Sequence, residues 1–109
     1  MTNTNKRQDV LIACYETIRQ TSELMLDAAR EADWQTVSRG ARACNQLLGV
    51  VQEIGDPLEV LDAHGQRVRV EILRGVLRAD AHIRDLRDPW VQTVERTVLR
   101  RRPALHAVK

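Results

Sequence analysis

The stretch from residue 34 to residue 54 reads WQTVSRGARACNQLLGVVQEI, and its apolar residues recur at alternating intervals of three and four. Because three or four residues make about one helical turn, this spacing places them along one side of an α-helix. An unbroken stripe of this kind is typical of a heptad seam between packed helices. The seam consists of Trp34, Val37, Ala41, Cys44, Leu48 and Val51. We therefore predict a helix over residues 34–54 that buries this stripe.

Residues that start and stop helices flank this predicted helix. Asp33 precedes it, and a carboxylate at that position accepts hydrogen bonds from the unpaired amides of the first turn. Gly55-Asp56-Pro57 follows it: Gly suits a left-handed helix end, Asp caps a new helix, and Pro fits its first turn. An earlier stripe consists of Leu11, Tyr15, Ile18, Ser22, Met25 and Ala29. A tight reversal between the two stripes makes the first two helices antiparallel.

A third stripe follows Pro57, with Gly65 at its missing step. It consists of Leu58, Leu61, Val68, Ile72, Val76, Ala79, Ile83 and Leu86. Either one helix runs from Pro57 to Arg87, or His64-Gly65 divides a short piece from a main helix, and a main helix from about Gln66 is favoured. Asp88-Pro89 repeats the cap-then-proline signal, which predicts a short fourth helix. The apolar face of that helix consists of Trp90, Val91, Val94 and Val98.

These patterns predict an all-α fold, an antiparallel helical bundle of three longer helices plus a short C-terminal fourth helix. No segment shows the alternation of apolar and polar residues that is typical of a strand. A chain of 109 residues builds one core, so we expect a single helical domain over residues 1–109. We expect frayed ends at 1–7 and 103–109 and helices at about 8–31, 34–54, 57 or 66–87, and 89–101.

Charge and hydropathy argue against several classes of partner. The net charge is +2, which gives little long-range attraction toward nucleic acid or membrane. The basic triplet Arg100-Arg101-Arg102 suits the C-terminal end of a helix, so we predict no direct nucleic-acid binding. No run reaches the ~18 apolar residues of a membrane span, and no signal peptide is recognisable. We expect a cytoplasmic protein, in which Cys14 and Cys44 are reduced, packed thiols.

The sequence offers little chemistry for catalysis or metal binding. Among His64, His82 and His106, only His82 has an acidic residue, Asp85, at the spacing that recurs in helical metal sites. Ser22 has no plausible base nearby in sequence, and no Gly-rich phosphate loop is present. We therefore predict no catalytic residue, no metal site and no cofactor.

Together the apolar stripes carry more apolar surface than a monomer of 109 residues can readily bury. Amphipathic helices that present such a surface are typical of proteins that bind a partner helix in a groove. The surplus predicts a protein partner, a homodimer, or both. A small helical transcriptional regulator, or another protein-interaction bundle, is the alternative interpretation.

Two short motifs resemble the FliT family of flagellar export chaperones. The first, Asp33-Trp34-Gln35-Thr36-Val37, is similar to the family's start of helix 2. The second comprises Ile72-Leu73, the run Asp80-Ala81-His82-Ile83-Arg84-Asp85-Leu86, and the capped proline of Asp88-Pro89-Trp90, and it looks like the family's helix 3. In order and spacing the resemblance covers about residues 8–102. It departs from the family at Ser38-Arg39-Gly40-Ala41-Arg42, which replaces an acidic run.

The resemblance implies a chaperone that binds the C-terminal segment of the filament-cap protein FliD and delivers it to the flagellar type III export apparatus. It also implies contact with the export ATPase and associated export proteins. In some members the family restrains the flagellar master regulator FlhDC, a role that the departure at residues 38–42 leaves open here.

Combined with the stripes, the resemblance predicts a client-binding groove between the second and third predicted helices. The expected groove residues are Val37, Ala41, Cys44, Leu48, Ile72, Val76, Ala79 and Ile83. The fourth predicted helix is marginal in length, since isolated helices of about thirteen residues barely hold in water. Our hypothesis is that its face of Trp90, Val91, Val94 and Val98 covers part of the groove in the free chaperone.

Overall fold

The computed structural model describes residues 2–88, with side chains from residue 6 onward, and this range contains helices and no strand. The helices are α1 (Thr2–Arg30), α2 (Trp34–Ile54), α3 (Pro57–Val60) and α4 (Ala63–Arg87). The predicted all-α class is confirmed, with three long helices packed together. The predicted helix at 89–101, including Trp90, Val91, Val94 and Val98, lies outside the described residues.

The central element of this arrangement is α1, because α2 and α4 both pack extensively along it while making little backbone contact with each other. Two groups of buried side chains tie the three helices together at opposite ends. The base cluster consists of Leu11, Tyr15, Val51, Val60, Leu61 and Ile72. The turn cluster, near the α1–α2 connection, consists of Ala29, Val37 and Ile83. The long helices are therefore joined at their ends through α1.

The first helix begins at Thr2, six residues before the start that its apolar stripe indicates. Two side chains in its early turns find partners elsewhere in the fold. Arg7 donates from Nη2 to the carbonyl oxygen of Ile54 at 2.5 Å, and Gln8 Oε1 accepts from the backbone N–H of Asp62 at 2.7 Å. Because the last carbonyls of a helix lack partners within it, the Arg7 contact also satisfies the end of α2.

The connection between α1 and α2 consists of residues 31–33. The N–H of Asp33 donates to the carbonyl of Ala28 at 2.9 Å, and the N–H of Ala32 donates to that of Ala29 at 3.0 Å. These two bonds form a Schellman motif, in which Ala32 adopts a left-handed φ of 58°. Asp33 then caps α2, accepting from the backbone N–H of Thr36 at 3.2 Å. Hydrogen bonds from the hydroxyl and then the backbone N–H of Thr36 lower the pKa of Asp33.

Replacing Ala32 with glycine is expected to raise the free energy of unfolding by about 1 kcal/mol, because the left-handed conformation strains a residue with a Cβ atom. The matched control is Ala13→Gly, at an exposed position inside α1, which should lower it by about 1 kcal/mol. Urea unfolding followed by far-ultraviolet circular dichroism measures both changes. Destabilisation by both substitutions would show that Ala32 is not strained.

The break before α4 falls at Leu61-Asp62, earlier than the His64-Gly65 division considered from the sequence. Asp62 caps α4 by accepting from the backbone N–H of Gly65 at 2.7 Å. That bond and the amide of Gln8 lower the pKa of Asp62. Gly65 is buried in the first turn, where a Cβ atom would lie 2.7 Å from Gln8 Oε1. Its role is therefore close approach to α1 rather than helix breaking.

In the part of the chain that the structure describes, no helix is long and apolar enough to cross a membrane.

Candidate functional site

A groove lies between α2 and α4, above α1, because the two outer helices pack on α1 rather than on each other. Its volume is about 510 Å³. Its lining is formed by Tyr15 of α1, Leu48, Val51 and Gln52 of α2, Gly55, Asp56 and Pro57 of the connection, and Arg69 and Leu73 of α4. The groove thus has mostly apolar walls, a tyrosine floor and one basic side chain.

The wall on α2 is formed by residues one turn apart that differ in accessibility. Val51 is buried in the base cluster, whereas the Leu48 side chain is 43% exposed. On the opposite wall, Leu73 is half-buried and packs at the edge of the same cluster. Leucine side chains on both walls are therefore within reach of a ligand that enters from solvent.

The floor and the α4 wall are connected by an arginine–tyrosine pair. Arg69 donates from Nε to the hydroxyl oxygen of Tyr15 at 3.0 Å, and its guanidinium carbon lies 5.6 Å from the centre of the Tyr15 ring. Both the hydrogen bond and the cation–π geometry hold the guanidinium in one place. The buried Tyr15 hydroxyl thereby has a partner, and a positive charge is fixed in the groove wall.

The connection between α2 and α3 also lines the groove. Gly55 adopts a φ of 135°, a value that favours glycine, and its N–H donates to the carbonyl of Val51 at 3.4 Å. Asp56 caps α3 by accepting from the N–H of Leu58 at 2.9 Å. The Asp56 carboxylate is therefore engaged by the start of α3.

At the far end of the same seam, α2 and α4 are linked through Trp34. The guanidinium carbon of Arg87 lies 5.7 Å from the centre of the Trp34 ring. Arg69 and Arg87 are eighteen residues apart on α4, which corresponds to about 27 Å along the helix axis. The seam between the two arginines is long enough to lie alongside a helix of about five turns.

The structure separates the expected groove residues into two groups. Leu48 lines the groove, and Ala41, Cys44 and Val76 are half-buried on the same helices. The other members are buried in the interior: Val37, Ile72, Ala79 and Ile83. The stripes of α2 and α4 therefore serve partly as core against α1 and only partly as groove wall.

The groove lining also includes residues that were not predicted for it from the sequence, among them Tyr15, Gln52, Arg69 and Leu73. A usable signal was present for two of them, since Arg69 and Leu73 each follow directly on a stripe residue and so stand at the edge of the apolar face. Tyr15 lies in the middle of its stripe, where a buried phenol needs a polar partner.

Further features of the described residues are their metal-ligating groups and the Cys44 thiol. No group of three or more His, Cys, Asp or Glu side chains among them is placed to hold a metal ion. Burial raises the pKa of the Cys44 thiol, which disfavours the reactive thiolate form. The sulfur lies 4.0 Å from the carbonyl oxygen of Ile18, as a packed thiol does.

Comparison with protein families finds that a model described as "Flagellar protein FliT" matches residues 12–103. This range contains α2, α3 and α4 entire, most of α1, and every residue that lines the groove. Comparisons with curated proteins and with solved structures find no match.

Proposed function

This chain belongs to the FliT family of flagellar proteins, and we propose that it is an export chaperone that binds the C-terminal segment of the filament-cap protein FliD in the α2–α4 groove. The observation that carries the proposal is an accessible, mostly apolar groove between α2 and α4, with a leucine side chain on each wall. An amphipathic helix docks in such a groove by burying its apolar face.

Binding in the groove shields the apolar face of the client segment from solvent and from other copies of the segment. A segment whose apolar face packs only in the assembled filament cap exposes that face before assembly, and exposed apolar patches promote self-association. Leu48 and Leu73 stand on opposite walls and offer that face an apolar surface on each side. The chaperone thus replaces contacts that the segment makes later with its own subunits.

We propose that the chaperone also delivers its client for export. A chaperone that keeps its client soluble in the cytoplasm hands it to the type III export apparatus, with the export ATPase and associated export proteins as the receiving partners. The exposed side chains Arg39 and Arg42 of α2 stand where the family commonly has an acidic run. The proposal therefore does not extend to the master regulator FlhDC.

Co-expression with FliD from the same genome tests the proposal. We expect affinity-tagged chaperone to retain full-length FliD and to lose FliD from which the C-terminal segment has been deleted. Calorimetry with the isolated segment should give a negative heat-capacity change, because apolar surface is buried on binding. Failure to retain full-length FliD, or equal retention of the truncated form, would overturn the proposal.

A further inference from the structure

We infer that Arg69 is a specificity-determining residue, which selects a client helix carrying an aspartate or glutamate within or beside its apolar face. The inference rests on the proposed function, since it concerns the client of the α2–α4 groove. The preferred ligand is thus an amphipathic helix with one acidic side chain placed to meet the guanidinium of Arg69.

The side chain of Arg69 is already held in place in the protein without a client. Its Nε is used by the Tyr15 hydroxyl, and its guanidinium lies over the Tyr15 ring. Neither terminal amino group has a hydrogen-bond acceptor among residues 6–88. Two parallel N–H donors in a fixed plane match the two oxygens of a carboxylate, and little side-chain freedom remains to be lost on binding.

Arg69 makes no ion pair among the described residues, and it is the arginine that lines the α2–α4 groove. Arg19, Arg74 and Arg84 each pair with a carboxylate three or four residues away on the same helix. The acidic side chain in the groove lining, Asp56, accepts from the backbone of α3. The positive charge of Arg69 is therefore available to a carboxylate that arrives from outside.

The apolar neighbours of Arg69 allow its charge to discriminate between acidic and basic clients. Leu48, Val51 and Leu73 share the groove with it, and a docked helix excludes water from them. Interactions between charges strengthen as water is excluded, and an unmatched charge becomes costly for the same reason. A client with a lysine at the matching position is rejected, whereas a client with a carboxylate is retained.

The first test measures binding of the FliD C-terminal segment to Arg69→Ala by fluorescence anisotropy. We expect affinity to fall by about tenfold to a hundredfold, the range for a lost charge-assisted pair. The matched control is Arg78→Ala, which removes the same charge from an exposed position of α4 and should change affinity by less than about twofold. Equal effects of the two substitutions would overturn the inference.

A conservative variant separates positioning from charge. Tyr15→Phe keeps the ring beneath Arg69 and removes the hydroxyl oxygen that accepts from Nε. We expect a smaller, several-fold loss of affinity, because the guanidinium keeps its charge and loses part of its orientation. Circular dichroism and urea unfolding of each variant establish that the bundle is intact. Unchanged affinity in folded Tyr15→Phe would contradict the positioning role of that hydroxyl.

The second test identifies the acidic partner. Each Asp or Glu of the FliD segment is replaced in turn by Asn or Gln, and every peptide is measured against wild type and Arg69→Ala. One replacement should weaken binding to wild type and leave binding to Arg69→Ala unchanged, which is the signature of a direct pair. The inference fails if no acidic position shows this coupling.

A third arm distinguishes failure of the inference from failure of the proposed function. If FliD does not bind, the probe becomes a set of amphipathic helical peptides that are identical except for Glu, Gln or Lys beside the apolar face. Tighter binding of the Glu peptide to wild type, with no preference in Arg69→Ala, supports an acid-selecting groove with a different natural client. If the wild-type protein shows no preference among the three peptides, the inference that Arg69 selects an acidic client is overturned.

Discussion

Replacing Leu11 with alanine is expected to lower the free energy of unfolding by about 3–5 kcal/mol. The Leu11 side chain is 0% exposed and belongs to the base cluster, in which residues of all four described helices meet. Removing it leaves a cavity at the junction of α1 with α2, α3 and α4, and neighbours on so many elements cannot all move to fill it. The loss therefore includes a cavity contribution besides the lost apolar burial.

Urea unfolding followed by circular dichroism measures this change, and Leu24→Ala is its control. Leu24 lies on the same helix with 65% of its surface exposed, so the same chemical change there should alter stability by less than about 0.5 kcal/mol. A loss at Leu11 as small as that at Leu24 would mean that α1 is not the central helix of the bundle.

Replacing Leu48 with glutamate is expected to weaken binding of the FliD segment by about a hundredfold while leaving the bundle folded. The side chain is 43% exposed, so the free protein can keep the carboxylate hydrated. Docking of an apolar helix face would strip that water from the charge and would also remove the leucine contact. Fluorescence anisotropy measures the affinity, and urea unfolding measures the stability of the variant.

The control for this substitution is Leu77→Glu on α4. Leu77 is 65% exposed and is not among the residues that line the groove. We expect its affinity for the segment to stay within about twofold of wild type, since the new charge stays hydrated in the complex. The reverse result, with loss at Leu77 and none at Leu48, would place the client on the outer face of α4.

The helix ends illustrate which parts of the fold local sequence can predict. The second helix runs from Trp34 to Ile54, the bounds that Asp33 and Gly55 indicate, because caps act through hydrogen bonds within a few residues. The start of α1 at Thr2 was not predictable in this way. Arg7 and Gln8 are held by Ile54 and Asp62, about fifty residues away, and no local pattern signals such partners.

In the candidate site, too, some features were predictable from local sequence and others depended on packing. Periodicity placed Val37 and Leu48 on one stripe, and a stripe of that width can face two neighbours at once. Packing against α1 then buried Val37 and left Leu48 beside the groove. On α4, Ile72 faces the core while its neighbour Leu73 reaches the groove wall. The side of each stripe that remains accessible depends on where the adjacent helix lies.

The sequence by itself determined the all-α fold class, the bounds of α2, the end of α4 at Arg87 and membership in the FliT family, because caps, periodicity and motif order are all local properties. Only the tertiary structure decided that α1 is central, that α2 and α4 stand apart across a groove, and that Arg69 is fixed over Tyr15. These features depend on contacts between residues far apart in the chain, and the relative rotation of two packed helices is set by the fit of whole surfaces.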